Sequence, residues 1–201
     1  LFPYTTLFRS YGRWEKICGK GRILPAFPGA GGCIEGGILD AQLLPRAIQP
    51  TTFGEIGGRK SSREEALAYI FRKSHIPYQI VPEMHHWQIS HLGVIIPLAD
   101  AYYQSRHPEK ICANEKLMTL TAYRMKKNLK WIAQKGMLCP AKLYMIKDMP
   151  TGMLARVLSR VYQSEFGNRF LYRHAMHAPE EFQRLHQEFY NYMKTHTKES
   201  N

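Results

Sequence analysis

The chain has 201 residues, of which 44% are hydrophobic and 12% aromatic, and its formal net charge is +12. This composition is typical of a globular protein and excludes a disordered chain. The longest apolar run, residues 92–99, is far shorter than the ~20 residues that cross a bilayer, so we expect no membrane span. The four cysteines form no C-x-x-C pair, which argues against a structural zinc site and favours reduced thiols.

The first ten residues, LFPYTTLFRS, resemble the in-frame translation of a common short-read sequencing adapter. We therefore treat residues 1–10 as an artefact and exclude them from the fold prediction. On this interpretation the natural chain continues upstream of Tyr11, and the sequence is an N-terminally truncated fragment.

Residues 11–82 contain short apolar segments among glycines and prolines, a pattern that predicts strands joined by turns. The segments are residues 23–24, 34–39, 41–44 and 51–56. The run SSREE at residues 61–65 is a capping-box signal, so we expect a helix that begins there and ends before Pro77. A last strand is expected over residues 78–81.

After Pro82 the apolar period becomes helical and stays so, which predicts a domain boundary near Glu83. The next stretch, residues 84–104, is expected to form one long, mostly buried helix with a kink at Pro97.

Three further helices follow in the predicted order. Asn114 caps the first of them, which Gly136 ends, and the others follow Pro150 and Pro179. The predicted fold class is therefore α/β followed by an all-helical domain over residues 83–195, with a disordered tail at residues 196–201.

A glycine-rich run suggests a phosphate-binding loop, and it consists of Phe27, Pro28, Gly29, Ala30, Gly31 and Gly32. The run does not match G-x-G-x-x-G, because Ile34 stands at the last glycine position, and no G-K-[ST] sequence occurs. Glycines let a backbone approach a ligand closely and also serve ordinary turns, so the sequence leaves both roles open.

The histidines give no strong metal signal. No H-E-x-x-H motif occurs, and His174, His177 and Glu181 share a helix face only if that helix begins before Pro179, so we predict no metal site. Glu180 and Glu181 follow Pro179 directly, where carboxylates are favoured by the helix dipole. Alternatively, one of them enters an interdomain cleft as an acid or base.

The densest positive charge consists of Arg124, Lys126, Lys127 and Lys130. Such a cluster can contact the phosphates of a nucleic acid or of a dinucleotide. Because only two aromatic residues, Tyr123 and Trp131, lie beside it, a solvated helix face is favoured and no nucleic-acid partner is expected.

Four segments match one known pattern in order and spacing. They are residues 23–32 (ILPAFPGAGG), 49–58 (QPTTFGEIGG), 87–103 (WQISHLGVIIPLADAYY) and 174–185 (HAMHAPEEFQRL). Together they resemble the ketopantoate reductase family, the 2-dehydropantoate 2-reductases and their relatives. The resemblance extends from about Lys16 to Met193.

The resemblance implies an N-terminal Rossmann domain that binds NADPH, an all-helical C-terminal domain, and an active site between them. Residues 11–82 are then the C-terminal remnant of a Rossmann-type NADP-binding domain that lacks its glycine fingerprint. The implied activity is hydride transfer from NADPH to a small 2-keto acid.

The resemblance also implies site residues. The family's general acid is a lysine two residues after the tryptophan of a W-x-K motif, and Ile89 stands at that position here. Either Ser90 or His91 then replaces the lysine, or the protein reduces another substrate. The family's carboxylate falls on Glu181, and the run from Phe27 to Gly32 lies beside the nicotinamide or the substrate.

We therefore predict a cytoplasmic NADPH-dependent reductase, with a homodimer left open and the fragment itself inactive. Two alternatives stay open at this point. One is a non-catalytic family member, which the absent lysine permits, and the other is a basic helical module that binds a nucleotide or nucleic acid.

Overall fold

The computed structural model describes residues 11–198, apart from the side chains of residues 33–35 and 198, so the predicted artefact at residues 1–10 lies outside it. The described chain divides into two compact units, residues 11–85 and residues 86–198. None of the described helices is long and apolar enough to cross a membrane. The predicted order, a mixed α/β part followed by helices, is confirmed, whereas its Rossmann-type identity stays a prediction.

The first unit contains a small mixed sheet. The elements of this unit are α1 (Tyr11–Cys18), β1 (Ala26–Phe27), β2 (Ala30–Glu35), β3 (Ile38–Leu43), β4 (Thr51–Phe53), α2 (Ser62–Lys73) and β5 (Tyr78–Ile80). The central strand β4 is antiparallel to β1 and parallel to β5. Parallel neighbours need a crossover connection, which α2 supplies. Phe53 on β4 is fully buried and packs against the rings of Phe71 and Tyr78.

The start of α2 confirms the predicted capping box. The Ser61 side chain accepts a hydrogen bond from the backbone N–H of Glu64, and the Glu64 carboxylate accepts one from the backbone N–H of Ser61. Glu64 also accepts a hydrogen bond from the N–H of Glu55, at 3.0 Å. The same carboxylate therefore caps the helix and fixes the loop that precedes it.

A separate two-stranded hairpin forms from β2 and β3, with Glu35 paired with Ile38. Gly36 and Gly37 form the turn at φ +57° and +80°, values that a two-residue hairpin turn of type I′ requires. The predicted single strand over residues 34–39 is therefore wrong, because the turn lies in its middle. Ile38 and Leu39 are 74% and 68% exposed.

The second unit is helical. It consists of α3 (Met84–Gln104), a 3₁₀ helix (Pro108–Ala113), α4 (Glu115–Gln134), α5 (Lys142–Asp148), α6 (Thr151–Gln163), a π-helix (Gly167–Tyr172), α7 (Arg173–His177) and α8 (Pro179–Lys198). The four predicted helices are confirmed as α3, α4, α6 and α8. The Asn114 side chain accepts a hydrogen bond from Leu117 N–H, and Gly136 follows α4 at φ +70°, as their predicted capping roles require.

The sequence did not predict the shorter elements, and it placed the end of α8 too early. The predicted disorder of residues 196–198 is wrong, because α8 continues to Lys198. The Lys135 ammonium donates to the carbonyl of His196, and the Trp131 indole N–H donates to the hydroxyl of Thr197. These contacts with α4 hold the last turn, and residues 199–201 lie outside the described residues.

A proline inside α3 explains a buried polar residue on α4. Pro97 has no N–H, so the carbonyl of Gly93, one turn earlier, loses its normal partner within the helix. The Asn128 side chain, which is 1% exposed, donates to that carbonyl at 3.3 Å. The same amide nitrogen also lies 3.3 Å from the Tyr190 hydroxyl on α8. Asn128 therefore replaces the backbone donor that Pro97 removes.

Helices α3 and α8 run antiparallel and are joined by polar contacts. The ring of Tyr103 contacts that of Phe182, and Asp100 contacts His186. The later residue of α3 therefore lies beside the earlier residue of α8, as in an antiparallel pair. The His186 Nδ1 lies 2.9 and 3.0 Å from the two Asp100 oxygens. Burial raises the pKa of Asp100, and His186 opposes that shift by favouring the carboxylate.

The relation between Pro97 and Asn128 predicts a coupling between two substitutions. Asn128→Leu should lower the free energy of unfolding by about 1–3 kcal/mol, because it leaves the Gly93 carbonyl buried without a donor. In a Pro97→Ala background the alanine N–H can bond that carbonyl, so the same substitution should cost about 1 kcal/mol less. Urea unfolding of the four proteins measures this coupling, and an equal cost in both backgrounds would contradict it.

Candidate functional site

The tryptophan that carries the family resemblance lies in the first turns of α3, against one of the predicted catalytic residues. The rings of Trp87 and His91 are stacked, with centroids 5.0 Å apart and planes 8° from parallel. The two residues are one helical turn apart, so α3 itself brings them together. The contact fixes the imidazole of His91 against an apolar surface.

The position of the family lysine is apolar in this protein. Ile89 is 0% exposed, and its neighbour Ser90 is equally buried. The Ser90 hydroxyl donates to the carbonyl of Met137 at 3.2 Å and accepts from the N–H of Cys139 at 3.0 Å. Because a backbone carbonyl already accepts its proton, Ser90 is better suited to hold the loop after α4 in place than to donate a proton to a substrate.

His91 differs from Ser90 in being electrostatically linked to other ionisable groups. Burial, with a smaller contribution from His174, lowers the pKa of His91 to about 4. The imidazole is therefore neutral near pH 7, and it keeps one N–H donor and one acceptor nitrogen.

The predicted carboxylate, Glu181, influences the pKa of His174. It lies partly buried in the first turn of α8, as expected after Pro179. Burial lowers the pKa of His174, and the charge of Glu181 opposes this by favouring the imidazolium. The charge of His174 thus contributes to the pKa of His91, and the charge of Glu181 contributes to the pKa of His174. We call these three residues, from α3, α7 and α8, the His–Glu cluster.

Sequence reasoning missed how His174 and Tyr103 contribute to this cluster. Pro179 starts a separate helix, as predicted, so His174 and Glu181 do not share one helix face. The backbone between them is non-helical at Ala178, whose φ is −132°, and the Tyr103 hydroxyl donates to the carbonyl of Ala175 on α7 at 2.6 Å. Burial, Asp100 and Glu181 raise the pKa of Tyr103 to about 12, so this donor stays protonated. No local sequence pattern signals such a contact.

The His–Glu cluster is not arranged as a metal centre. Within residues 11–198, no group of three or more histidine, cysteine, aspartate or glutamate side chains is placed to hold a metal ion. The His177 Nδ1 lies 2.6 Å from the carbonyl of Arg173 in its own helix.

The glycine-rich run is closely packed against its own chain. A Cβ atom on Gly29 would lie 2.3 Å from the Thr51 nitrogen, and one on Gly32 would lie 2.1 Å from the Asp40 carbonyl oxygen. Gly29 N–H also donates to the Thr51 hydroxyl at 3.0 Å. Phe27 is buried in β1, whereas Pro28 and Ala30 are exposed and Gly31 is intermediate. Packing thus accounts for both glycines, and the role of the run in cofactor binding stays a prediction.

The basic cluster on α4 is partly used for internal contacts. The Lys126 ammonium donates to the carbonyl of Met149 and lies 3.4 Å from the Thr151 hydroxyl, and Arg124 donates to the Gln104 side chain at 3.0 Å. Lys127 and Lys130 are exposed. These contacts favour the predicted structural role of the cluster over a continuous phosphate-binding surface.

Comparison with known proteins gives no family assignment. No protein-family model, curated protein or solved structure matches this chain. A function must therefore be argued from the arrangement of the described residues together with the sequence resemblance.

The lowered pKa of His91 predicts an acid-sensitive stability. Between about pH 6.5 and 4 the unfolded chain binds a proton that folded His91 does not, so this contribution to stability is lost as the pH falls through that range. The loss should reach about 1–2 kcal/mol at pH 5 relative to pH 7. His91→Phe keeps an aromatic ring against Trp87 and should remove this part of the pH dependence in urea unfolding. His107→Phe, at an exposed site, is the control, and an unchanged slope in His91→Phe would contradict the interpretation.

Proposed function

We propose that this protein is an NADPH-dependent oxidoreductase of the ketopantoate reductase type, which reduces a small 2-keto acid. The observation that carries the proposal is the His–Glu cluster. The resemblance gives Glu181 as the carboxylate and leaves Ser90 or His91 to replace the lysine. Of these, His91 and Glu181 are both coupled electrostatically to His174, which supports a shared site.

In this proposal His91 takes the place of the family lysine as the donor to the substrate carbonyl. A neutral imidazole N–H can donate a hydrogen bond to the carbonyl oxygen and stabilise the negative charge that develops there. The stack with Trp87 holds the ring in position, and burial keeps it neutral. His91 is favoured over Ser90 because the Ser90 hydroxyl already donates to Met137.

Glu181 orients the donor through His174 in the same proposal. Its charge favours a proton on His174, and His174 lies close enough to His91 to influence its pKa. The carboxylate thereby biases which of the two imidazoles carries a proton. Tyr103 holds α7, and with it His174, through the carbonyl of Ala175.

The proposed cofactor, NADPH, is the hydride donor of such a reaction, and the described residues do not form its phosphate site. A dinucleotide pyrophosphate is normally held by a G-x-G-x-x-G turn between a strand and a helix N-terminus. No such motif occurs in the sequence, and α2, which follows β4, starts with a capping box in which the side chains of Ser61 and Glu64 bond each other's N–H groups. The proposal therefore assigns to this chain only the binding and polarisation of the carbonyl substrate.

One observation favours a second candidate, a family member without catalytic activity. Ile89 fills the lysine position with an apolar side chain that is 0% exposed, so no ammonium group is available there. The two candidates differ in their dependence on the His–Glu cluster, because a non-catalytic protein needs no positioned proton donor.

The absence of a G-x-G-x-x-G motif predicts weak cofactor binding by this chain. Calorimetric titration with NADPH should show no binding in the micromolar range, because the helix N-terminus that would hold the pyrophosphate is not formed. A micromolar dissociation constant would show that the chain forms a cofactor site without a G-x-G-x-x-G turn.

Substitution of Glu181 tests the catalytic proposal directly. In a chain extended at its N-terminus with the βαβ unit of a family member, Glu181→Gln should lower kcat/KM for the best 2-keto acid by roughly 100-fold, as expected for loss of a positioned acid or base. Glu180→Gln makes the same charge change in the same helical turn at an exposed position, and it should leave kcat/KM within about twofold. Equal effects of the two substitutions would reduce Glu181 to a helix-terminal charge.

A further inference from the structure

A cavity of about 890 Å³ opens in the second unit between the end of α3 and the start of α4. The described residues that line it all lie in one continuous segment, residues 104–116, which includes the 3₁₀ helix; most of them are exposed, so the cavity is open to solvent. Its volume lies in the range of small-molecule sites in proteins, about 300–1,000 Å³. None of its lining residues belongs to the His–Glu cluster.

The charges around this cavity are unbalanced. Arg106, Lys110 and Lys116 line it, against a single lining carboxylate, Glu115. Within residues 11–198, the three cationic side chains make no ion pair and no side-chain hydrogen bond. Cations that line one cavity without partners repel each other, and an anion bound beside them relieves that repulsion.

The neutral polar residues of the cavity add donors rather than acceptors. The side-chain oxygens of Gln104, Ser105 and Asn114 already accept hydrogen bonds, from Arg124, from His107 N–H and from Leu117 N–H respectively. Their remaining side-chain donors, two amide NH₂ groups and a hydroxyl, make no hydrogen bond within the described part of the chain. The lining therefore matches a ligand that is rich in acceptor oxygens and negatively charged.

We propose that this cavity binds a small phosphorylated molecule through at least two of its negative charges. A phosphate group presents three acceptor oxygens and a charge of about −1.5 to −2, which suits the fork of Arg106 and the point charges of Lys110 and Lys116. Among the described residues that line the cavity, only His107 has a ring, which lies 3.5 Å from Glu109, and none is Phe, Tyr or Trp. Recognition therefore depends on the phosphates and not on stacking of a base, which argues against single-stranded nucleic acid.

The test uses the whole chain and inorganic pyrophosphate as the probe. Isothermal titration at low salt should detect binding, and backbone amide shifts in NMR spectra should place it at residues 104–116. The double substitution Lys110→Glu with Lys116→Glu should weaken binding by about tenfold or more. Lys127→Glu with Lys130→Glu makes the same change in net charge at exposed positions outside the cavity, and it should leave the affinity within about twofold.

Several results would overturn the proposal. The first is that millimolar pyrophosphate does not bind, and the second is that the amide shifts occur elsewhere in the chain. The third is an equal loss of affinity in the control variant, which would indicate a general charge effect. If single-stranded or duplex nucleic acid binds more tightly than pyrophosphate, and the Lys110 and Lys116 variant loses that binding, the cavity is a nucleic-acid site instead. If that variant does not fold, the amide shifts of the unaltered chain decide the question.

Discussion

Four polar groups that α3 carries into the protein are satisfied by other elements, and these bonds join α3 to much of the second unit. Ser90 bonds the loop after α4, Asp100 bonds His186 on α8, and Tyr103 bonds the backbone of α7. The carbonyl freed by Pro97 bonds Asn128 on α4. A buried polar atom without a partner costs about 1–3 kcal/mol, so these bonds fix which element lies beside each turn of α3.

The His–Glu cluster is a result of the same arrangement. Tyr103, at the C-terminal end of α3, bonds the Ala175 carbonyl next to His174, and the charge of His174 contributes to the pKa of His91, three turns earlier in α3. Burial then keeps His91 neutral, whereas an ammonium in the same environment would lose more solvation energy. An imidazole at this point is compatible with an apolar residue, Ile89, at the position of the family lysine.

Sequence patterns predicted the helices and caps, which depend on neighbouring residues, and missed the side-chain contacts that join residues distant in sequence. The long amphipathic helices, the Ser61 and Asn114 caps and the first-turn position of Glu181 all have local signatures, and each was found. Helix α5 was missed because it is only 7 residues long and has no side-chain cap. Asn128 acquires its role from Gly93, and His174 is linked to His91; both partners are far away in sequence, so no spacing rule could identify these relations.

The hairpin of β2 and β3 has a consequence for how the protein behaves in concentrated solution. Both of its strands pair only with each other, and the side chains of Ile38 and Leu39 lie in solvent. An open strand edge beside exposed apolar residues is a template for strand addition by another molecule. Solubility should therefore respond to substitutions at these two positions more strongly than folding does, since neither side chain contributes buried area to the core of the first unit.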